Sequence, residues 1–69
     1  MKYKQAIIDI VYEKGCITRK EILRLLRERI RELSEKSEDY AEFIVDNTLK
    51  RLVENGVIVK KNWGVYCKP

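Results

Sequence analysis

Leu52-Val53-Glu54-Asn55-Gly56-Val57-Ile58-Val59-Lys60-Lys61-Asn62-Trp63-Gly64-Val65-Tyr66-Cys67 reads as the end of a helix, a glycine stop and a short basic hairpin. Asn55-Gly56 supplies the stop, because glycine takes the left-handed conformation that closes a helix at no steric cost. Two strands are expected to follow, Val57 to Lys61 and Val65 to Lys68, joined by Asn62-Trp63-Gly64. A three-residue loop with glycine in the left-handed position fits that spacing. In this register Lys61 faces Val65 and Val59 faces Cys67, which puts Val57, Val59, Val65 and Cys67 on one face and Ile58, Lys60, Tyr66 and Lys68 on the other. The valine face is expected to be the core side. Lys60, Lys61 and Trp63 then gather at an exposed tip, where a polyanion can be met.

Upstream, Tyr3, Ala6, Ile7, Ile10 and Val11 recur at helical spacing and predict a first helix from about Tyr3 to Lys14, stopped by Gly15. Cys16-Ile17 form a short extended piece. Thr18-Arg19-Lys20-Glu21 is a capping box: the Thr18 hydroxyl accepts from the Glu21 amide and the Glu21 carboxylate reaches back, so a second helix starts near Arg19. It carries Ile22, Leu23, Leu25, Leu26, Ile30 and Leu33 on one broad side and is expected to run unbroken into a long helical hairpin. On its other side, Arg24 with Glu28 and Arg31 with Glu35 form helix-surface pairs. Ser37 caps a third helix, with Glu38 and Asp39 at its positive dipole end and Ala41, Ile44, Val45, Thr48, Leu49 and Leu52 as its core stripe up to about Glu54.

With 69 residues the chain holds one domain, burying only ~60% of the surface its unfolded form exposes. The net charge of +4 is unevenly spread: residues 1–31 carry nine basic and four acidic side chains, residues 32–54 three and seven, residues 55–69 three and none. Basic ends around an acidic middle favour a polyanion partner. No apolar run approaches the ~20 residues of a membrane span, and the first residues do not resemble a signal peptide, so a cytoplasmic protein is expected. Abundant Lys, Arg and Glu, no His and the single Gln5 match the usage of heat-adapted proteins.

Catalysis has little footing. Ser34 and Ser37 are the only serines, no histidine is present to activate them, and no glycine-rich phosphate loop occurs, so neither an enzyme, a cofactor nor a small-molecule substrate is expected. Cys16 and Cys67 alone leave a tetrahedral zinc site short of ligands.

The order helix, short strand, helix, helix, strand, strand is an α+β arrangement, mostly α. On the Cys16-Ile17-Thr18 start, the Thr48-to-Ile58 passage and the Gly64-Val65-Tyr66 return strand, residues 6–67 resemble the winged helix-turn-helix family. The compact, charged, cysteine-bearing form looks like small regulators of archaea and of their viruses or plasmids. The resemblance implies one winged-helix domain over residues 1–69, with three helices, a small antiparallel sheet and one wing hairpin. It further implies a transcriptional regulator that binds double-stranded DNA, in the host cytoplasm if viral. The third helix, about residues 38–54, would enter the major groove and the wing, residues 57–68, would touch backbone or minor groove.

Carried over position by position, Phe43, Asp46, Asn47, Lys50 and Arg51 face outward on the third helix and Lys60, Lys61, Asn62 and Trp63 form the wing. Asn47 suits adenine edges, Arg51 guanine edges, and the lysines suit phosphate, with Arg19 and Lys20 as further phosphate contacts. Trp63 either wedges against the nucleic acid or folds back over the sheet. Tyr12, Tyr40 and Phe43 are expected to pack; exposed together, Tyr40 and Phe43 would mark a dimer interface. Glu38, Asp39, Glu42 and Asp46 line the outward side of the third helix, and the alternative occupant of such a face is a protein partner or a second copy of the chain. The family's pairing of the first short strand with the last wing strand implies that Cys16 and Cys67 are neighbours, either as a disulfide, which intracellular proteins of hyperthermophiles tolerate, or as reduced thiols.

Overall fold

The computed structural model describes residues 2–69. Their elements run α1 (Lys2–Lys14), β1 (Cys16–Thr18), α2 (Arg19–Arg29), α3 (Arg31–Ser34), α4 (Glu38–Glu54), β2 (Val59–Asn62) and β3 (Val65–Cys67). The three strands form one antiparallel sheet in the order β1-β3-β2, so the last strand is central. The architecture is α+β and mostly helical.

The helices form where periodicity and caps place them. Thr18 Oγ1 accepts from the Glu21 amide at 3.3 Å and Ser37 Oγ from the Tyr40 amide at 3.2 Å, each satisfying one of the free amides of a helix start. The Glu21 carboxylate does not reach back to Thr18. It accepts from Arg24 at 2.7 Å, and that hydrogen bond holds it below the usual carboxylate range. Arg24 also donates to Glu28 at 2.8 Å, the pair expected from sequence.

The second helix is not continuous. Ile30 adopts extended backbone (φ −115°, ψ 103°), donating its amide to Leu26 and accepting from Leu33 as the next turn begins. The expected three helices are therefore four. The break lets the short α3 bury Leu33 and lets Arg27 Nη2 donate to the carbonyls of Ser34 and Lys36 as the chain turns toward α4.

Ile7, Ile10 and Val11 of α1, Ile22 and Leu26 of α2, Leu33, and Val45, Leu49 and Leu52 of α4 fill the core together with Ile17, Ile58 and Tyr66 from the sheet side. The hairpin face thus differs from expectation. Ile58 is 1% exposed and Tyr66 is buried, whereas of the valine face Val59 is 36% exposed, Val57 and Val65 are half-buried and only Cys67 is buried. The reason is where the strand begins: residues 57 and 58 belong to the turn after α4, with both amides directed to the Leu52 carbonyl, so the two-residue alternation starts only at Val59. Tyr66 stands opposite Ile17 on β1, and this pair of large side chains turns that face toward the helices. Val59 faces Cys67 as expected, but Asn62 rather than Lys61 faces Val65, leaving Lys61 as the extra residue of a bulge. Gly64, at φ +67°, takes the left-handed position of the tip.

Cys16 and Cys67 stand directly opposite each other, 4.0 Å apart at Cα, and are joined as a disulfide spanning 51 residues. No helix among the described residues is long and apolar enough to cross a membrane.

Candidate nucleic-acid interface

Burial of Ala41, Val45, Thr48, Leu49 and Leu52 fixes the roll of α4, and the opposite side carries Phe43, Asp46, Asn47, Lys50 and Arg51, all exposed. The end of this helix is tied to the hairpin at several points. Asn55 caps it, Gly56 turns at φ +74°, and Leu52 accepts the Val57 amide at 2.9 Å. Tyr12 Oη donates to the Val57 carbonyl at 2.8 Å, so this aromatic, expected as packing, is instead half-exposed and anchors the start of the hairpin to α1. Lys68 donates to the Gly15 carbonyl and Arg19 to the Gly64 carbonyl, at 2.8 and 2.6 Å, holding the return strand and the tip against the first half of the chain.

The result is a hairpin of fixed direction. Lys60, Lys61 and Asn62 are exposed, and Trp63 is 99% exposed at the tip, so the fold-back over the sheet does not occur. A hollow of about 260 Å³ lies between α4 and the hairpin, lined by Lys50 and Lys60, by the carboxylates Asp46 and Glu54, and by Leu49, Val53 and Tyr66. The two lysines, ten residues apart in sequence and on different elements, thereby share one surface. A second hollow, about 370 Å³, runs along the hairpin among Lys60, Lys61, Asn62 and Trp63.

Arg19 is placed differently from a free phosphate contact. Its Nε donates to Asp46 Oδ1 at 2.6 Å, and its Nη2 donates to Asp46 Oδ2 and Glu42 Oε1, both at 3.0 Å. These bonds, the one to Asp46 above all, hold the guanidinium protonated well beyond its ordinary range. All the partners are partly exposed, so the cluster stabilises the fold by less than about 1 kcal/mol per pair. Its larger effect is on charge, because two of the four outward carboxylates of the first half of α4 have a cation of the same chain bonded to them. Lys20 lies on a separate hollow of about 820 Å³ beside Arg24 and Arg27. It is not brought together with Lys50 and Lys60.

Tyr40 and Phe43, expected as packing, are exposed at 42% and 63%. The Lys36 ammonium sits 5.8 Å from the centre of the Tyr40 ring. Sequence reading missed Tyr12 as an anchor and the Arg19 cluster; helical spacing signalled the first, through a tyrosine off the apolar stripe of α1, whereas nothing local signals a contact 27 residues apart.

Compared with protein-family models, curated proteins and solved structures, the chain matches none of them.

Proposed function

We propose that this chain is a winged helix-turn-helix domain that binds double-stranded DNA as a transcriptional regulator, acting by occlusion or recruitment rather than by chemistry. The observation that carries the reading is the shared surface of Lys50 and Lys60 beside a tip bearing Lys61, Asn62 and Trp63. With Asp46 bonded to Arg19, the exposed charges along the second half of α4 and the hairpin are Lys50, Arg51, Lys60, Lys61 and Lys68 against Glu54. Glu38 and Asp39 sit at the far end of α4. At 1.5 Å per residue they are roughly 16–20 Å from Lys50 and Arg51, beyond the ~8–10 Å over which exposed charges act at physiological salt. In this reading the second half of α4 faces the major groove, with Asn47 and Arg51 able to meet base edges, while the lysines hold phosphate and Trp63 meets sugar or base.

Fluorescence anisotropy against a mixed-sequence duplex at several salt concentrations tests it. Binding is expected to weaken linearly in log-log form with salt, and replacing both Lys60 and Lys61 with Ala is expected to weaken binding alike on every sequence. The same replacement should flatten the slope by about 1.8 units, near 0.9 for each phosphate that is no longer neutralised. An unchanged slope removes the hairpin from the interface, and no binding even at low salt sinks the DNA reading.

The joint exposure of Tyr40 and Phe43 favours a second reading, in which α4 pairs with a second copy of the chain. Sedimentation equilibrium separates the two. The DNA reading expects α4 to stay uncovered, and a dimer abolished by Phe43→Ser would transfer α4 to self-association.

A further inference from the structure

Arg19 joins three elements at once. Its guanidinium binds both oxygens of Asp46 and one of Glu42 on α4, and its amide donates to the Gly64 carbonyl, one residue from Trp63. Its Cβ is 3.8 Å from where a side chain on Gly64 would begin, so the hairpin turn rests directly on the first residue of α2. A guanidinium has five donors in a planar fork; here the Nε–Nη2 edge, one of the two that can grip a phosphate bidentately, grips Asp46, and Nη2, which the other edge also needs, donates to Glu42 as well. Asp46 directly precedes Asn47 and lies one turn before Lys50, at the edge of the surface proposed to meet DNA, while Glu42 lies one turn further back. Left uncovered, the two carboxylates would set like charge against phosphate, which is costly where water is excluded.

We propose that Arg19 is a built-in counterion that makes α4 compatible with DNA: its one positive charge offsets Asp46 and part of the charge of Glu42, without itself contacting phosphate. This rests on the DNA reading above. It assigns Arg19 the role of a positioning residue, in place of the phosphate contact expected from sequence.

The test compares four proteins by anisotropy on one mixed-sequence duplex over a range of salt: wild type, Arg19→Met, Glu42→Gln with Asp46→Asn, and all three changes together. Arg19→Met is expected to bind roughly tenfold more weakly, with a salt slope changed by well under one unit. The triple variant is expected to recover to within about twofold of wild type, because with the carboxylates gone no counterion is needed. The Gln/Asn pair should bind at least as tightly as wild type. If Arg19→Met does not fold by circular dichroism, the triple variant still decides against wild type, in which Arg19 remains bonded to its carboxylates. A triple variant that binds as wild type does upholds the counterion role, and one that binds more weakly than wild type with a slope lower by about 0.9 makes Arg19 a phosphate ligand and overturns it. A wild type that binds no duplex at low salt fails the DNA reading itself, an outcome distinct from binding without recovery.

Discussion

Reducing the Cys16–Cys67 disulfide is expected to lower the melting temperature by roughly 15–30 °C. The bond closes a loop of 51 residues out of 69. In the chain-entropy treatment a link of that length removes freedom from the unfolded state worth about 4 kcal/mol. For a domain of 60–100 residues each kcal/mol moves the melting point by about 4–8 °C. A domain this small buries a modest core, so a single staple is a large share of what holds it folded. The bond also joins the central strand to β1, next to the Lys68 amide on the Gly15 carbonyl, and so secures the hairpin on the side away from α4. Cys16 is exposed, giving a reductant access, whereas Cys67 is 2% exposed. Thermal melts followed by circular dichroism, with and without a phosphine reductant, check this. A variant with Cys16→Ser and Cys67→Ser should melt with the reduced protein and ignore the reductant. A shift below about 5 °C would mean that the unfolded chain is already restrained without the bond, and the entropic account would fall.

How far the sequence could be read depended on the range of the interactions concerned. Caps are local: Thr18 and Ser37 each need only an amide three residues on, and both were readable from residue type and position. The core stripe of α4 was equally open, because Ala41, Val45, Thr48, Leu49 and Leu52 are related by helical spacing alone. The break at Ile30 was hidden. Leu26 and Leu33 are seven residues apart, a spacing that keeps them on one side of an unbroken helix, and neither Gly nor Pro marks the interruption. Phe43 shows how residue type misleads when weighed apart from position. An aromatic in an amphipathic helix usually packs, yet the opposite side of α4 already fills the core, and Phe43 is left facing solvent. At the candidate interface, the exposure of Lys60 and Lys61 followed from their place in the hairpin, whereas the sequence left Trp63 open between facing outward and folding back over the sheet. The commitment of Arg19 to Asp46 and Glu42 did not follow from sequence, since it depends on how α2 crosses α4.

The inverted hairpin face leads to the second large effect: Ile58→Ala is expected to cost about 2–4 kcal/mol, as truncation of buried Ile generally does, while Val59→Ala costs under about 1 kcal/mol. Ile58 is 1% exposed within the core cluster, and Val59, its neighbour in sequence, is 36% exposed on an edge strand. Urea denaturation of the oxidised proteins measures both. The intact disulfide keeps the truncated chains foldable, and an unchanged slope with denaturant shows that stability alone has moved. Equal costs would return the valine face to the core side. The contrast bears on function as well as on stability, because the direction of this face decides which cations are gathered. Lys60 is paired with Tyr66, so turning Tyr66 toward the helices brings Lys60 to the α4 side, where it shares the hollow with Lys50. With the valines inward, Lys60 would project from the far side of the sheet and the cations of α4 and the hairpin would form two separate patches. Burial of Ile58 and Tyr66 is thus the packing event that aligns the two halves of the proposed interface.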